Sequence, residues 1–480
     1  MPESDTATAG FGFSTEQVHG GVVPDSAHGA RITPIHMSSG FLFDDFGQAR
    51  DRFAGDDAGY TYTRLGNPTN ASLERRVAVL ERGVEAILVG SGQAAVTVAL
   101  LGLLQAGDHV VSASSIYEGT RGLLLQNLGR LGISVDFVDD ARDPDAWRAL
   151  IRPETRLLFG ESIPNPKNDV LDIAMVAAVA HEHGVPLVVD NTLATPYLVR
   201  PLEHGADIVV HSASKFLAGH GSAIGGVVVD GGRFDWAATG GRFPHLTEPD
   251  RALGGRSHVD RHGDRAFVAY ARDVVAARLG PTPSPFNAFL IQQGVETLSL
   301  RMERHGANAL TIARWLDAQP EVANVDHAGL ESNPYHDLAT RYLPRGAGSV
   351  FAFSLAGGRD AAQRFVDALG LFSRMTHLGD VRSLILHPAS TTHAQRTPEE
   401  RAATGIDEGL LRVSVGIEDV EDLIRDLERG LAAVRSAEGP GVGLPADGPG
   451  GPTPVAETAT ADEDVRSGEF GAPHIVLEEI

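Results

Sequence analysis

The sequence predicts an α/β protein with a mostly parallel central sheet covered by helices on both faces, followed by a smaller C-terminal α/β unit. Three observations lead there. Short Val-rich apolar runs alternate with helical segments through residues 61–275, the pattern of buried parallel strands joined by crossover helices. The alternation breaks at 233–262 and a second set of helices and strands fills 276–436. The chain has 480 residues, enough for two well-buried cores.

The elements follow in order. Residues 1–60 read as a lead, disordered to about residue 10, and then an extended arm. "NPTNASLERRVAVLERG" sets Leu73, Val77 and Leu80 on one helical face, with Thr69 or Asn70 as cap and Gly83 as stop. "EAILVGS" is a short buried strand and "GQAAVTVALLGLLQAGD" an apolar helix covered on most sides. "HVVSAS", "SVDFVD", "TRLLFGES", "PLVVDNT", "ADIVVHSAS" and "IGGVVVDGG" continue the sheet, with "DIAMVAAVAHEHG" as one of its helices. Residues 233–262, rich in Gly, Arg and His, read as an insertion or long loop. In the last helix, Val420, Leu423, Ile424, Leu427 and Leu431 form an apolar stripe at helical spacing. Residues 437–480 carry nine acidic residues, one Arg and many Gly and Pro, and read as a disordered tail.

Composition narrows the function. The net charge of −23 disfavours nucleic acid and anionic membrane as partners. The longest apolar run, Ala94 to Leu104, is too short to span a bilayer. Nothing at the N-terminus reads as a secretion signal, so the expected location is the cytoplasm. The absence of Cys excludes disulfides, thiolate metal sites and cysteine nucleophiles. The pairs His181 and His183, and His387 and His393, have spacings near metal-ligand patterns, but the first lies at a helix end and the second in a loop, and no metal is expected.

Of the 40 cationic residues only Lys167 and Lys215 are lysines. Lys167 follows Asn165-Pro166 in a turn, where a solvated or structural role is expected. Lys215 follows an apolar strand amid small residues, in "IVVHSASKF". Open parallel sheets place ligands at the carboxyl ends of their strands. Three polar groups fall there: Asp190, the Ser212–Ser214–Lys215 turn, and Ser91-Gly92, which opens a helix whose N-terminal amides suit a phosphate. Singly each has a bland reading, as a cap, a loop lysine or an ordinary strand-to-helix turn. Together they describe a pocket for pyridoxal 5'-phosphate (PLP). That cofactor requires an amine able to lose its proton and attack an aldehyde, which Arg cannot do. Its ring nitrogen requires a carboxylate, for which Asp190 serves, and Tyr117 is a candidate to cover the ring. A dinucleotide-binding oxidoreductase on a similar sheet would need a Gly-x-Gly-x-x-Gly turn, and "VGSGQAA" lacks that spacing. A catalytically silent binding protein would not need Lys215, Asp190 and Arg412 together.

The stretches "YTYTRLGNPTN", "SGQAA", "IYEGT", "ESIPNPK", "VVDNTLATPYLVRPLEHGADIVVHSASKF", "SPFNAFLIQQGVETLSLRMERH", "HPASTTH" and "LRVSVGIE" resemble those of the Cys/Met-metabolism PLP-dependent enzymes. That family holds the cystathionine γ-synthases, the cystathionine and methionine γ-lyases and the O-acylhomoserine sulfhydrylases. The resemblance implies the aspartate-aminotransferase-like fold (fold type I) and PLP bound covalently through Lys215. It implies that Asp190 pairs with the ring nitrogen and Tyr117 stacks on the ring. Ser212, Ser214, Gly92 and Gln93 hold the phosphate, and Asn165 and Thr192 lie beside the cofactor. Arg412 and Ser383 bind the substrate carboxylate. Tyr62 and Arg64 reach into the neighbouring subunit's site, which implies a homodimer with shared sites, assembled into a tetramer.

Within the family, "HLGDVRSLILHPASTTH", "ESIPNPK" and the 233–262 insertion resemble the O-acetylhomoserine sulfhydrylase branch. That resemblance implies γ-replacement of O-acetyl-L-homoserine by sulfide, giving L-homocysteine. An O-succinylhomoserine sulfhydrylase or a cystathionine γ-synthase or γ-lyase is the alternative. Three residues depart from the usual pattern: Glu118 stands where Gly is usual, Arg382 where Lys is common and His377 where Asn is common.

Overall fold

The computed structural model describes residues 10–23 and 28–437; the expectations for the first nine residues and for the acidic tail beyond Ala437 lie outside them. Seven strands form the larger sheet: β1 (Glu85–Val89), β2 (His109–Ala113), β3 (Ser134–Val138), β4 (Thr155–Glu161), β5 (Leu187–Asp190), β6 (Ile208–Ser212) and β7 (Gly226–Asp230). Their order is β1-β7-β6-β5-β4-β2-β3. All neighbours are parallel except β7, which runs antiparallel to both β1 and β6. The expected mostly parallel sheet is therefore present. Its strands are Val-rich because helices bury both faces, and Val188, Val189, Val209 and Val210 are fully buried.

A second sheet has the order β10-β11-β12-β9-β8, built from β8 (Val322–Asp326), β9 (Val350–Leu355), β10 (Ser373–Arg374), β11 (Leu384–Leu386) and β12 (Leu410–Ser414). It is antiparallel except between β10 and β11. The helix Val420–Ala437 lays Leu423, Leu427, Leu431 and Val434 into a second apolar core with Phe351, Phe353 and Phe365, as its stripe predicts. The 20-residue helix Leu298–Asp317 serves both cores. Leu298 and Met302 pack with the larger sheet, and Ala309, Ile312 and Leu316 with the smaller.

Three local expectations change. The helix carrying Leu73, Val77 and Leu80 starts one turn position earlier than Thr69 or Asn70 would set it. Asn67 is the cap, accepting from the Thr69 amide, with Pro68 at the first helical position. Its end is Arg82 in the left-handed region at φ 65°, not Gly83. Arg82 is held there by an ion pair with the buried Glu16 at 2.8 Å, a tertiary contact that offsets a backbone preference.

The arm is only partly extended, with helices at Phe13–His19 and Phe46–Ala54. The first is anchored by Phe13 against Tyr197 and by Gln17 against Ser299. The second leaves Phe46 and Phe53 87% and 75% exposed.

The 233–262 segment is packed rather than loose. Trp236, Phe243 and Leu246 are buried, with Trp236 edge-on to Phe243 at 5.1 Å and stacked on Phe267 at 5.9 Å. Short helical turns between glycines of positive φ, such as Gly240 and Gly254, carry these anchors. Phe243→Ala removes a fully buried ring and is expected to cost about 3–5 kcal/mol, measured as a fall in stability by equilibrium denaturation; a change below about 1 kcal/mol would show the segment to be peripheral to the core.

Candidate active site

Lys215 stands in the turn that leaves β6, its amide donating to Ser212 O at 3.1 Å and its carbonyl accepting from Gly219 at 2.7 Å. The next residue, Phe216, is fully buried edge-on to His305 and fixes the turn to the core. Below, buried Arg301 donates to Phe216 O at 2.8 Å and Gly294 O at 2.7 Å. From the C-terminal side, Gly379 approaches so closely that a Cβ there would lie 2.8 Å from the Phe216 amide. The Val381 amide bonds to Gly219 O at 2.9 Å. That docking brings His377 Nδ1 to 3.2 Å from Lys215 Nζ and places Arg412 of β12 behind it. Desolvation, and then the positive charge of Arg412, lower the Lys215 amine to about 8. A lysine so placed has a neutral fraction at physiological pH far above that of a surface lysine.

Arg412 is 2% exposed. It donates to the carbonyls of His377 at 3.0 Å, Thr376 at 3.3 Å and Met375 at 3.4 Å, and to Asn165 Oδ1 at 3.4 Å. Its Nε is buried without a hydrogen-bond partner. No carboxylate neutralises it, and burial lowers it to about 10. A buried, carbonyl-held guanidinium with donor capacity to spare suits an incoming carboxylate.

Asp190 ends β5 and accepts from the Thr192 amide at 2.9 Å. The Thr192 hydroxyl accepts from the Ser212 amide at 2.8 Å, so Thr192 joins the ends of β5 and β6. In the β4–β5 register Asp190 sits beside Glu161, a residue to which the sequence reading assigned no role. Desolvation raises Asp190, opposed by the Thr192 hydrogen bonds and the nearby His211. Glu161 goes well above the usual carboxylate range through desolvation and then through the Asp190 charge. Of these two adjacent carboxylates Glu161 is the more strongly raised, so proton uptake by the pair favours Glu161 and charge favours Asp190. Glu161 Oε1 also accepts from the Tyr117 amide at 2.6 Å, which fixes the start of the helix behind the Tyr117 ring. The ring is 45% exposed and lies over Gly119, where a Cβ would come within 2.5 Å of it.

Ser91 caps the helix Gly92–Leu101, leaving the Gly92 and Gln93 amides in its open first turn. Gly92 is required there because a Cβ would lie 2.5 Å from the Ser212 Cβ; the helix start and the β6 turn meet side by side. The Gln93 side chain donates to Gly119 O at 2.9 Å, tying this turn to the Tyr117 helix. Ser214 is already engaged, its hydroxyl donating to Gly225 O at 3.2 Å and accepting from the Gly225 amide at 3.1 Å.

The structure thus brings together Lys215, Tyr117, Asp190, Thr192, Ser212, Gly92, Gln93, Asn165 and Arg412. It sets Ser383 apart: its side chain is fully buried, donates to Glu418 at 2.9 Å and accepts from the Gly416 amide at 2.9 Å. Tyr62 and Arg64 touch neither Lys215 nor Asp190. Arg64 lies over the Tyr62 ring and donates to Ala277 O. His377 and Arg301, like Glu161, gain their roles from long-range contacts. Glu161 left a positional signal in the sequence, an acid at a strand's carboxyl end, as Asp190 is, and His377 only its departure from the usual Asn.

The residues fit one guest. A helix-start cradle packed against Ser212, a desolvated strand-end carboxylate, Asp190, and an amine kept deprotonable by burial match the phosphate, ring nitrogen and aldehyde of PLP. The fold is that of the fold type I PLP-dependent enzymes. The chain belongs to the Cys/Met metabolism PLP-dependent enzymes, whose family model matches residues 14–432. It is 46% identical over 438 residues to an O-acetyl-L-homoserine sulfhydrylase of Corynebacterium glutamicum, covering 90% of this chain and 100% of that one. It is 43% identical to a homocysteine synthase of Schizosaccharomyces pombe, covering 87% and 98%. Among solved structures it resembles a putative O-acetylhomoserine (thiol)-lyase of Campylobacter jejuni holding a pyridoxyl-lysine phosphate. The TM-score is 0.85 at 34% identity, over 88% of this chain and 100% of that one.

In the cofactor-free protein, acylation of Lys215 by an amine reagent is expected to follow a titration centred at about 8. Arg412→Met removes a repelling charge and should move that midpoint upward; a midpoint that stays put would show that desolvation alone sets it.

Proposed function

We propose that this protein makes L-homocysteine and acetate from O-acetyl-L-homoserine and sulfide, by replacement at the γ-carbon. The observation that carries the proposal is the placement of buried Arg412 behind the lowered amine of Lys215, in a chain whose sulfhydrylase relatives share its full catalytic span. Arg412 would receive the α-carboxylate of the amino acid and so set its α-carbon against Lys215. PLP, when bound, supplies an electron sink for the charge left on carbon when a proton departs. Lys215 Nζ, lowered to about 8 and so neutral far more often than a surface lysine, takes the proton from the α-carbon and then one from the β-carbon, and returns them later in the cycle. Tyr117 covers one face of the pocket and keeps water from it. Asp190 carries the negative charge opposite the ring nitrogen while Glu161 stays protonated and holds the Tyr117 backbone. Acetate leaves from the γ-carbon and the sulfur of sulfide takes its place, so that each turnover exchanges one acyloxy group for one thiol.

The same reading places Ser383 near the substrate through its main chain, its hydroxyl being committed to Glu418. Ser214 would close the phosphate cradle by stapling its loop. Tyr62 and Arg64 would complete the site of a second copy. The exposure of Leu42, Phe46, Phe53 and Met37 on the same arm, at 94%, 87%, 75% and 70%, supports a homodimer through that face, with a tetramer built from two such dimers. No helix of the described residues is long and apolar enough to cross a membrane, and the lack of Cys suits a cytoplasmic enzyme.

Homocysteine formed from O-acetyl-L-homoserine and sulfide, with the reaction and the cofactor's visible absorbance both lost in Lys215→Ala, is the expected result. Cleavage of cystathionine as the dominant activity, or a protein that takes up no PLP, would overturn the reading. Leu42→Asp with Phe46→Asp is expected to shift the sedimenting species to the monomer and to cut activity by about 100-fold or more, the scale for loss of positioning groups from a site; a fully active monomer would refute the shared site.

A further inference from the structure

Glu118 stands directly after Tyr117, at the first position of the helix Glu118–Gly122. Its carboxylate is paired with Arg396 through two hydrogen bonds, Oε1 accepting from Nε at 3.2 Å and Oε2 from Nη2. The partners lie 278 residues apart in sequence. Arg396 belongs to the segment that follows β11 and the His387–His393 stretch. Its side chain is 11% exposed, and that of Glu118 32%. The remaining donor of Arg396 goes to Thr404 Oγ1 at 3.2 Å. The pair borders the substrate pocket: Arg412 interacts electrostatically with both Tyr117 and His393, and His393 Nε2 is 3.9 Å from Glu118 Oε2.

The pairing of Arg396 bears on what this corner can bind. Arg121 lies 3.9 Å over the Phe137 ring, with one buried nitrogen unpartnered. Arg396 and Arg412 are further guanidinium groups at this corner, and Glu118 is the carboxylate hydrogen-bonded to Arg396. His393 is nearly buried, and desolvation lowers it to about 4, so it adds no charge at neutral pH. Arg412 is committed to the α-carboxylate. Arg396 is the cation beside Glu118, the residue after Tyr117, and Glu118 occupies its bidentate face. Without that carboxylate a largely buried guanidinium would lack an anion, and an anionic group entering the pocket would meet a ready partner.

We propose that the Glu118–Arg396 pair selects the acyl group of the donor: by holding Arg396 closed it denies a partner to the free carboxylate of a dicarboxylic acyl ester such as succinyl, and confines the enzyme to uncharged acyl esters such as acetyl. This rests on the γ-replacement reading above. An unpaired carboxylate brought beside Glu118 would also meet like-charge repulsion, so the discrimination has an attractive element withheld and a repulsive one supplied.

The test compares kcat/KM for O-succinyl- and O-acetyl-L-homoserine, with sulfide, in the PLP-loaded enzyme and its variants. Glu118→Gln keeps the size and removes the charge; Glu118→Gly removes the group. Each is expected to raise the succinyl-to-acetyl ratio by about tenfold or more, the scale of one charge-assisted contact. Adding Arg396→Met to Glu118→Gln should bring the ratio back to within about twofold of wild type, because the receiving cation is gone. Titration calorimetry of the two esters against the same variants in a Lys215→Ala background reads the preference as binding, without turnover. A ratio and a binding preference that do not move in Glu118→Gln or Glu118→Gly would overturn the proposal. Failure of the wild type to form homocysteine from the acetyl ester would instead remove the reading on which it rests.

Discussion

A lysine amine that must lose its proton near neutral pH cannot lie in water, and much of this architecture follows from keeping Lys215 out of it. Burial alone would favour the neutral amine while leaving the side chain free to wander. Here the turn is held from three sides: Phe216 is sunk in the core, Arg301 bonds its carbonyl from below, and the Gly379–Val381 segment bonds Gly219 from above. The last contact ties the smaller sheet's connections to the larger sheet's catalytic turn. The same docking sets Arg412 where its charge opposes protonation of Lys215. One contact surface therefore supplies geometry, amine acidity and a buried guanidinium together.

The second constraint is electrostatic. Parallel strands end in register, so acids at the ends of β4 and β5 must be neighbours, and Glu161 faces Asp190. Two ionised carboxylates in such a place would repel in a poorly solvated medium. The protein settles the conflict by environment. Asp190 keeps hydrogen bonds from Thr192 and the favourable field of His211, while Glu161 is the more strongly raised of the two. Glu161 is not idle, since it accepts the Tyr117 amide. Asp190 and the Tyr117 backbone are thereby held by one pair of carboxylates.

How much of this was legible in the sequence depends on the range of the interaction. Val-rich strands, the apolar stripe of the last helix and the strand-end residues Asp190 and Lys215 obey local rules, and the structure places them as those rules say. The cap at Asn67 was displaced by one Asn-Pro-Thr turn because Pro68 accepts the first helical position more readily than Thr69 does. Arg82 in the left-handed region depends on Glu16, 66 positions away by number, and no local rule contains it. The 233–262 segment looked loose because Gly, Arg and His dominate it; three well-spaced apolar anchors proved sufficient to pack it. Among the site residues, Arg301 was silent for the same reason, and His377 showed only as a departure from the usual Asn, with no sign of its contact to Lys215. Each acts across more than 80 residues of chain.

The scarcity of lysine acquires a physical sense from these contacts. Arg301 and Arg412 are both buried without a carboxylate partner, each held by several carbonyl oxygens. An ammonium in either place would tend to neutralise, because its proton leaves far more readily than that of a guanidinium. Fixed positive charge suits both positions, and at Arg412 it lowers Lys215. Lys167, by contrast, is partly exposed and lies 3.9 Å from Asp326. At Lys215, desolvation and a neighbouring guanidinium act in the same direction. Arginine surrounds it because a residue that cannot titrate is the right neighbour for one that must.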